Sequence, residues 1–417
     1  MISYKQAQQI LKQSLIAIGD EYIHSSHSVG RVASTDIKST TSYPRENNAA
    51  FDGYAICSKD TKNINNKNPK KFKIIGSVIP GNKPIHKKVK AWSAIEIMTG
   101  GIIPKPFDTI IPVEQIEFYP SKQEAKYIVI NKKIAKHLFV RFAGSDYKKN
   151  DVVVSKGSII QPNHLLALKT LGIKKIKVKK KPNILFFSTG NEISNKENIP
   201  SYKVRNSNNH YIQSLSANFL FHFINGGILK DNHEKVFHKK IKTMISSNID
   251  MIITSGAVSA GKFDFVPKVI KTFSLSKFFN SVAIRPGKPI LFAKINKKQK
   301  TIFGLPGNPI AAAACFRFFV HPYLMNILGV REEKPIKAKL QQSYSKKKDA
   351  TRFAKCKLTS RPNGTLTVEV LQGQESFKIK SLVSSNIWAL FPSGKSQFKK
   401  GEIIDCYFPN YSNASLL

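Results

Sequence analysis

The chain has 417 residues, more than one ordinary hydrophobic core organises, so several domains are expected. A composition 41% hydrophobic and 10% aromatic excludes a largely disordered protein, which lacks the apolar surface to offset ordering entropy. The balance of 67 Lys+Arg against 26 Asp+Glu gives a net charge of +41, and two explanations compete for it. A phosphate-binding surface would concentrate the cations on one arm or helix, whereas these lysines are scattered through every segment and no nucleic-acid motif accompanies them. Compositional drift toward Lys, Asn and Ile, coating the surface, is the favoured reading. Cys57, Cys315, Cys356 and Cys406 lie far apart with no C-x-x-C pair, which argues against a disulfide framework or structural zinc and fits a reducing, cytoplasmic compartment. The N-terminus has no apolar core like that of a signal peptide.

In chain order, Ser3 and Gln6 form a capping box ahead of Ile10, Leu11, Leu15 and Ile18 at helical spacing, which predicts an opening amphipathic helix. From Ser42 the character changes to short β-type runs: 72–79, 94–98, 109–113 and 127–130. A β segment at 152–154 follows, then a helix over 162–171 closed by Gly172, a basic strand ending at Val178, and a linker-like Lys179-Lys-Lys-Pro182. Beyond it strands and helices alternate: strand 183–187, helix 207–224 stopped by Gly226-Gly227, strand near Ile228, helix 233–246, strand 251–254 and a helix after Asp264. Such alternation implies a parallel sheet with helices on both faces. A hairpin over 290–303, turning near Asn296, precedes Gly304-Leu-Pro-Gly-Asn-Pro309. There Asn308 can cap a long helix running to about Leu328, with a kink expected at Pro322. That apolar stretch is interrupted by Arg317 and His321 and reads as a core helix, not a membrane span. After Pro335 only strand signals appear, with a hairpin turn at Pro362-Asn363-Gly364.

Two stretches share one grammar. The run from Asp250 to Asp264 is an apolar strand, then the small-residue loop Thr254-Ser255-Gly256-Ala257-Val258-Ser259-Ala260-Gly261, then a carboxylate. Ile184 to Glu192 is again a strand, then Ser188-Thr189-Gly190, then a carboxylate. Loops of little bulk at strand ends let backbone N–H groups approach an anion, and open α/β sheets bind ligands at that carboxyl edge. Two acids facing an anion imply a divalent cation, and oxygen ligands suit Mg²⁺. Arg285 and Lys288 flank a Pro-Gly turn and would suit a tetrahedral oxyanion. Pro306, Gly307 and Pro309 pre-set the loop that opens a helix. Asp52 in Asp-Gly-Tyr-Ala and Thr99 in Thr-Gly-Gly gain interest if they face one cleft. No Ser/His/Cys triad pattern, P-loop or well-placed G-x-G-x-x-G is present.

Taken together and in this order, these stretches resemble the molybdopterin molybdenumtransferase family, which includes MoeA and the gephyrin E-domain. The resemblance runs from the Asn48 to Ala55 tract through Thr99-Gly100, Arg141 to Asp146, Ser188 to Glu192, Ser255 to Asp264, Arg285 to Pro289 and Gly304 to Pro309, to the Ser376 and Asn386 region. It implies an α/β multidomain protein: a linking domain of residues 1–45 and 140–178, a β-rich insert of 46–139, a MogA-like α/β domain of 179–330 and a C-terminal β-barrel of 331–417. It also implies a homodimer, with the active site where the α/β domain of one subunit meets the β insert of the other. The implied reaction inserts molybdate into adenylylated molybdopterin with release of AMP, with Mg²⁺. By the same resemblance Asp52, Thr99, Glu192 and Asp264 are active-site residues, and Glu192, Asp264 and Asp231 are metal ligands. Ser188, Thr189, Gly190, Ser255, Gly256, Ser259, Gly261, Pro306, Gly307, Pro309, Arg141 and Asp146 would contact the pterin nucleotide. Arg285, Lys288, Ser376 and Arg352 would contact molybdate. The chain departs from the family mainly at acids, with Asn191, Asn206 and Asn232 where aspartates are usual and Ser145 in place of a glutamate. Ala257 stands where a glycine is common. These losses leave a catalytically weakened pterin or molybdate-binding scaffold as the alternative class, and the bare charge leaves a nucleic-acid binder as a third.

Overall fold

The computed structural model describes residues 1–82, 89–216, 220–258, 264–295 and 299–409. The chain divides into two compact units: Met1–Thr35, Ser155–Gln161 and Ile176–Leu417 form one, and Asp36–Val154 with Pro162–Lys175 form the other.

The second unit is built on a six-stranded sheet in the order Thr109–Pro112, Gly53–Ile56, Ser93–Ile97, Lys70–Val78, Tyr127–Ile130, Glu117–Tyr119. Its pairings are antiparallel except between Lys70–Val78 and Ser93–Ile97. Successive strand residues point to opposite faces, and both faces are covered. Tyr54 and Ile56 enter one cluster with Phe72 and Ile111, while Ala55 enters another with Ile95, Ile97 and Ile110. Coverage on both sides is complete at Gly53–Ile56 and Thr109–Pro112, every residue of which is buried, whereas in Lys70–Val78 buried Phe72 lies between exposed Lys71 and Lys73.

In the first unit, four parallel strands run in the order His222–Leu229, Asn183–Thr189, Met251–Ser255, Thr301–Leu305, extended by antiparallel Leu291–Ile295 and Leu275–Phe279. Ile184, Phe186, Met251 and Ile253 face the helices Ser207–Ser216 and Pro309–Cys315. Leu185, Phe187 and Ile252 face Glu234–Ser246, which lays down Phe237, Ile241 and Met244 at helical spacing. A five-stranded barrel closes over Thr351–Ser360, Leu366–Val370, Ile336–Leu340, Ile403–Tyr407 and Ile387–Phe391, the last pairing back with the first. Ala338, Ala354, Ala389, Cys356 and Cys406 leave room in it for Phe391 and Phe398.

Several expectations are corrected. The opening helix has its capping box but spans only Tyr4–Lys12, so Leu15 and Ile18 lie beyond it. Lys179 is no linker residue; it ends the strand Lys175–Lys179, which pairs with Asp20–His24. The helix from Ser207 stops at Ser216, and 222–229 is a strand that contains both glycines. Gly226 is needed there because a Cβ would enter the ring of Phe187, and the register with the neighbouring strand shifts at this place. The long helix Pro309–Ile327 is interrupted before Pro322 by a π turn at Phe316–Val320. Pro322 has no N–H for the Phe318 carbonyl, which accepts the Gln8 Nε2 at 2.6 Å. This helix has the length and apolarity of a membrane span, but it is buried inside the first unit. Asn308 begins it without a side-chain capping bond. The barrel segment also carries a short helix, Lys380–Ser384. The hairpin turn expected near Asn296 lies outside the described residues.

Candidate active site

The parallel strands end in three loops that converge. After Thr189 the chain turns at Gly190, with φ +138°, where a Cβ would collide with the carboxylate of Glu192. Glycine therefore lets Glu192 fold back over the strand end. The Glu192 carbonyl accepts Val204 N–H at 2.8 Å, and Ile193–Ser194 pairs with Val204–Arg205, which brings Arg205 to the same edge. After Ser255, Gly256 donates to Leu305 O at 2.8 Å, and Thr189 Oγ1 donates to Ser255 O at 3.0 Å. Ala257 takes a left-handed φ of +52°, which a glycine would hold without strain.

Two asparagines tie these loops together. Asn208 Nδ2 donates to Ser255 Oγ at 2.7 Å and to Gly307 O at 2.8 Å, while Ser255 Oγ donates to Pro306 O at 3.3 Å. Buried Asn206 accepts Ser188 Oγ at 2.5 Å and donates to Asn195 Oδ1 at 2.8 Å. Both begin or precede the helix Ser207–Ser216, and neither was singled out from the sequence as a contact residue. The available signal was an amide-rich tract at a helix start on the carboxyl side of a parallel sheet.

The loops enclose a cavity of about 510 Å³. It brings together Ser188, Thr189, Gly190, Glu192, Asp231, Ser255, Gly256, Asp264, Pro306, Gly307 and Pro309, and adds Arg205, Asn206, Asn208 and Asn308. Asp264 opens the helix Phe265–Lys271 without a side-chain capping bond. Asp231 N–H donates to Asn191 Oδ1 at 3.3 Å. Ser259 and Gly261 lie outside the described residues. Two helices, from Ser207 and from Pro309, start at this cavity, and their unpaired N–H groups and dipoles favour an anion there. Glu192, Asp231 and Asp264 share the lining, yet no group of three acidic, His or Cys side chains among the described residues is close enough to cage a metal alone.

Arg285, Lys288 and Arg352 do not line this cavity. Arg285 is paired with Asp349 at 2.9 Å, a carboxylate not anticipated from the sequence. Arg285 lies in register beside Arg352, and with Lys346 and Lys347 they line a smaller cavity of about 160 Å³. Arg352 Nη2 donates to Gln374 O at 2.8 Å. Lys288 is exposed on its turn and lines neither space, whereas its neighbour Pro289 lines the large one. Ser376, on the barrel, accepts Asn308 Nδ2 at 3.0 Å.

Asp52, Thr99, Arg141 and Asp146 belong to the other unit. There Asp52 Oδ1 accepts the Thr99 N–H at 2.6 Å and its hydroxyl at 2.7 Å. The backbone bond first, and the hydroxyl second, hold the Asp52 carboxyl below the ordinary carboxylate range. Arg141 is exposed on a two-residue strand opposite Asn48, and exposed Asp146 donates its N–H to Tyr43 O at 3.1 Å.

A parallel sheet with two loop-terminal acids and two helix starts around one cavity at its carboxyl edge defines an α/β protein with the ligand site of an open, doubly wound sheet. Residues 2–172 match the MoeA N-terminal region (domain I and II), 186–326 a probable molybdopterin binding domain, and 337–408 the MoeA C-terminal region (domain IV). The chain is 31% identical over 408 residues to a molybdopterin molybdenumtransferase of Staphylococcus epidermidis, covering 97% of this chain and 94% of that one. It is 31% identical over 384 residues to one of Staphylococcus aureus, covering 91% and 88%. Among solved structures, a molybdopterin biosynthesis moeA protein from Pyrococcus horikoshii superposes with a TM-score of 0.82 at 26% identity, covering 98% of this chain and 100% of that one. The chain belongs to the molybdopterin molybdenumtransferase (MoeA) family of molybdenum cofactor biosynthesis.

Proposed function

We propose that the protein is an active, cytoplasmic molybdopterin molybdenumtransferase that inserts molybdate into adenylylated molybdopterin and releases AMP. The observation that carries this reading is the cavity at the strand ends, which combines backbone donors with Glu192, Asp231 and Asp264. Backbone N–H groups and helix starts would hold the phosphates, and Ser188, Thr189, Ser255 and the Pro306 to Pro309 loop would shape the pocket around the nucleotide. Mg²⁺ is normally held by one or two carboxylates together with substrate phosphates and water. An incomplete carboxylate set therefore fits a metal that arrives on the nucleotide. Glu192 and Asp264, with Asp231, would hold it, and the ion would supply charge neutralisation at the phosphates.

Arg285, Lys288, Arg352 and Ser376 would bind molybdate, whose charge suits the guanidinium pair. Asp52 and Thr99, with Arg141 and Asp146, would come from a second copy in a homodimer. The division into a linking domain, β insert, α/β domain and barrel is kept as part of this proposal. Four free, buried cysteines are in keeping with a cytoplasmic setting.

Purified protein given adenylylated molybdopterin, Mg²⁺ and molybdate should release AMP in a molybdate-dependent way, and Glu192→Ala should lower kcat by about a hundredfold. Absence of release, with pterin still bound, would establish the scaffold alternative. Mixing Glu192→Ala with Asp52→Ala protein should recover part of the lost activity if the two residues meet across a dimer; no recovery at any ratio argues against a site shared between two copies.

A further inference from the structure

Within the barrel, one lysine is placed where lysines rarely lie. Lys355 is 1% exposed, on the strand Thr351–Ser360, between Ala354 and Cys356 of the barrel core and on the opposite face from them. Its Nζ donates to three backbone carbonyls: Gly373 at 2.8 Å, Lys378 at 3.1 Å and Glu375 at 3.2 Å. An ammonium has three N–H bonds, so each is used, and all three go to one loop. The same loop is held from the backbone side, since Gln374 accepts Lys355 N–H at 3.0 Å and donates to Lys355 O at 2.7 Å.

What this loop carries makes the anchor more than structural. Between the tethered carbonyls of Glu375 and Lys378 lies Ser376, which accepts the Asn308 amide at 3.0 Å. Asn308 itself lines the large cavity. One residue before Glu375, the Gln374 carbonyl takes the Arg352 guanidinium, which lines the small cationic cavity. A single buried charge therefore organises the segment that supplies Ser376 and orients Arg352. We propose that Lys355 is a positioning residue for the reaction: by tying down residues 373–378 it sets Ser376 and Arg352 for the incoming tetrahedral oxyanion.

This rests on the reading of Ser376 and Arg352 as oxyanion contacts, so the experiment separates the two claims. Amide hydrogen exchange over 373–378 is measured on the full-length protein without substrate, together with kcat and KM for molybdate, in Lys355→Met and Lys355→Arg. Lys337→Met, a barrel-surface lysine paired with Asp405, controls for the lost charge. Lys355→Met should speed exchange in this loop by about tenfold and raise the molybdate KM by about tenfold while kcat stays within about twofold. Lys355→Arg keeps the charge but presents a planar fork, so both effects should be about threefold. It carries the test if Lys355→Met does not fold. Lys337→Met should match wild type. Unchanged exchange and unchanged KM in the folded Lys355 variants overturn the proposal, as does a fall in kcat with no change in KM. Should the wild type release no AMP, the reading of function is what fails, and the exchange result alone decides the placement of the loop.

Discussion

Gly190 shows how little freedom the first strand-end loop has. Its φ of +138° is one that L side chains rarely adopt, and a Cβ there would have to push the Glu192 carboxylate aside. Gly190→Ala should cost about 1–2 kcal/mol of stability from the backbone alone and, by displacing Glu192, lower AMP release by more than about tenfold; urea titration and turnover measure the two effects separately. Lys355 makes a different residue-scale prediction. Burial, aided by the Arg352 charge, pushes its ammonium down to about 8, with Glu375 opposing and Lys378 reinforcing. In the unfolded chain a lysine titrates near 10.4, so between roughly pH 8 and 10 the unfolded state binds more protons and stability rises with pH. The gap in melting temperature between wild type and Lys355→Met should therefore move in favour of wild type from pH 7.5 to 9.5. Scans of the two proteins side by side check it, because the other lysines cancel.

Among the elements, the interrupted helix Pro309–Ile327 is the most informative. It is the central packing surface of the first unit, with Phe318 stacked on Phe353 at 3.9 Å and Tyr4 edge-on to Phe319 and Phe353. A proline inside such a helix removes one N–H, and the opening helix compensates by aiming Gln8 at the Phe318 carbonyl. Gln8→Ala removes that donor and should cost about 1–3 kcal/mol, read as a lower urea midpoint with unchanged slope. Contact between the two helices could not be foreseen from spacing, since they are separated by most of the chain. Strand 222–229 was misread for a similar reason: Gly226-Gly227 is ordinary helix-stop chemistry locally, and only the Phe187 ring next to it makes Gly226 a strand residue.

At the scale of the whole molecule, charge dominates. With +41 the folded chain repels itself, and the ion pairs present are mostly surface pairs worth little individually. The most buried pair among the described residues is Arg317–Glu333, 3% and 14% exposed, where the guanidinium also donates to Phe408 O at 2.6 Å. Screening relieves the repulsion without weakening the buried apolar contacts, so the melting temperature should rise by a few degrees from about 20 to 200 mM NaCl. A melting temperature that falls with salt would mean that attractive surface pairs outweigh the repulsion.

Much of this protein was legible in its sequence because the governing physics is local. Apolar runs of strand length, the Ser3 capping box, Gly172 after its helix, and the Pro362-Asn363-Gly364 turn all report short-range sterics and hydrogen bonding. The repeated pattern of strand, small residues and acid announced two walls of the cavity, at Glu192 and Asp264. Tertiary structure alone decided the rest. It made Asn206 and Asn208 the ties between loops, put Asp349 against Arg285, joined Ser376 to Asn308 and buried Lys355 under three carbonyls. Each of these is a contact between residues distant in the chain, whose geometry depends on how sheet, helices and barrel pack, and no spacing within one segment encodes that distance.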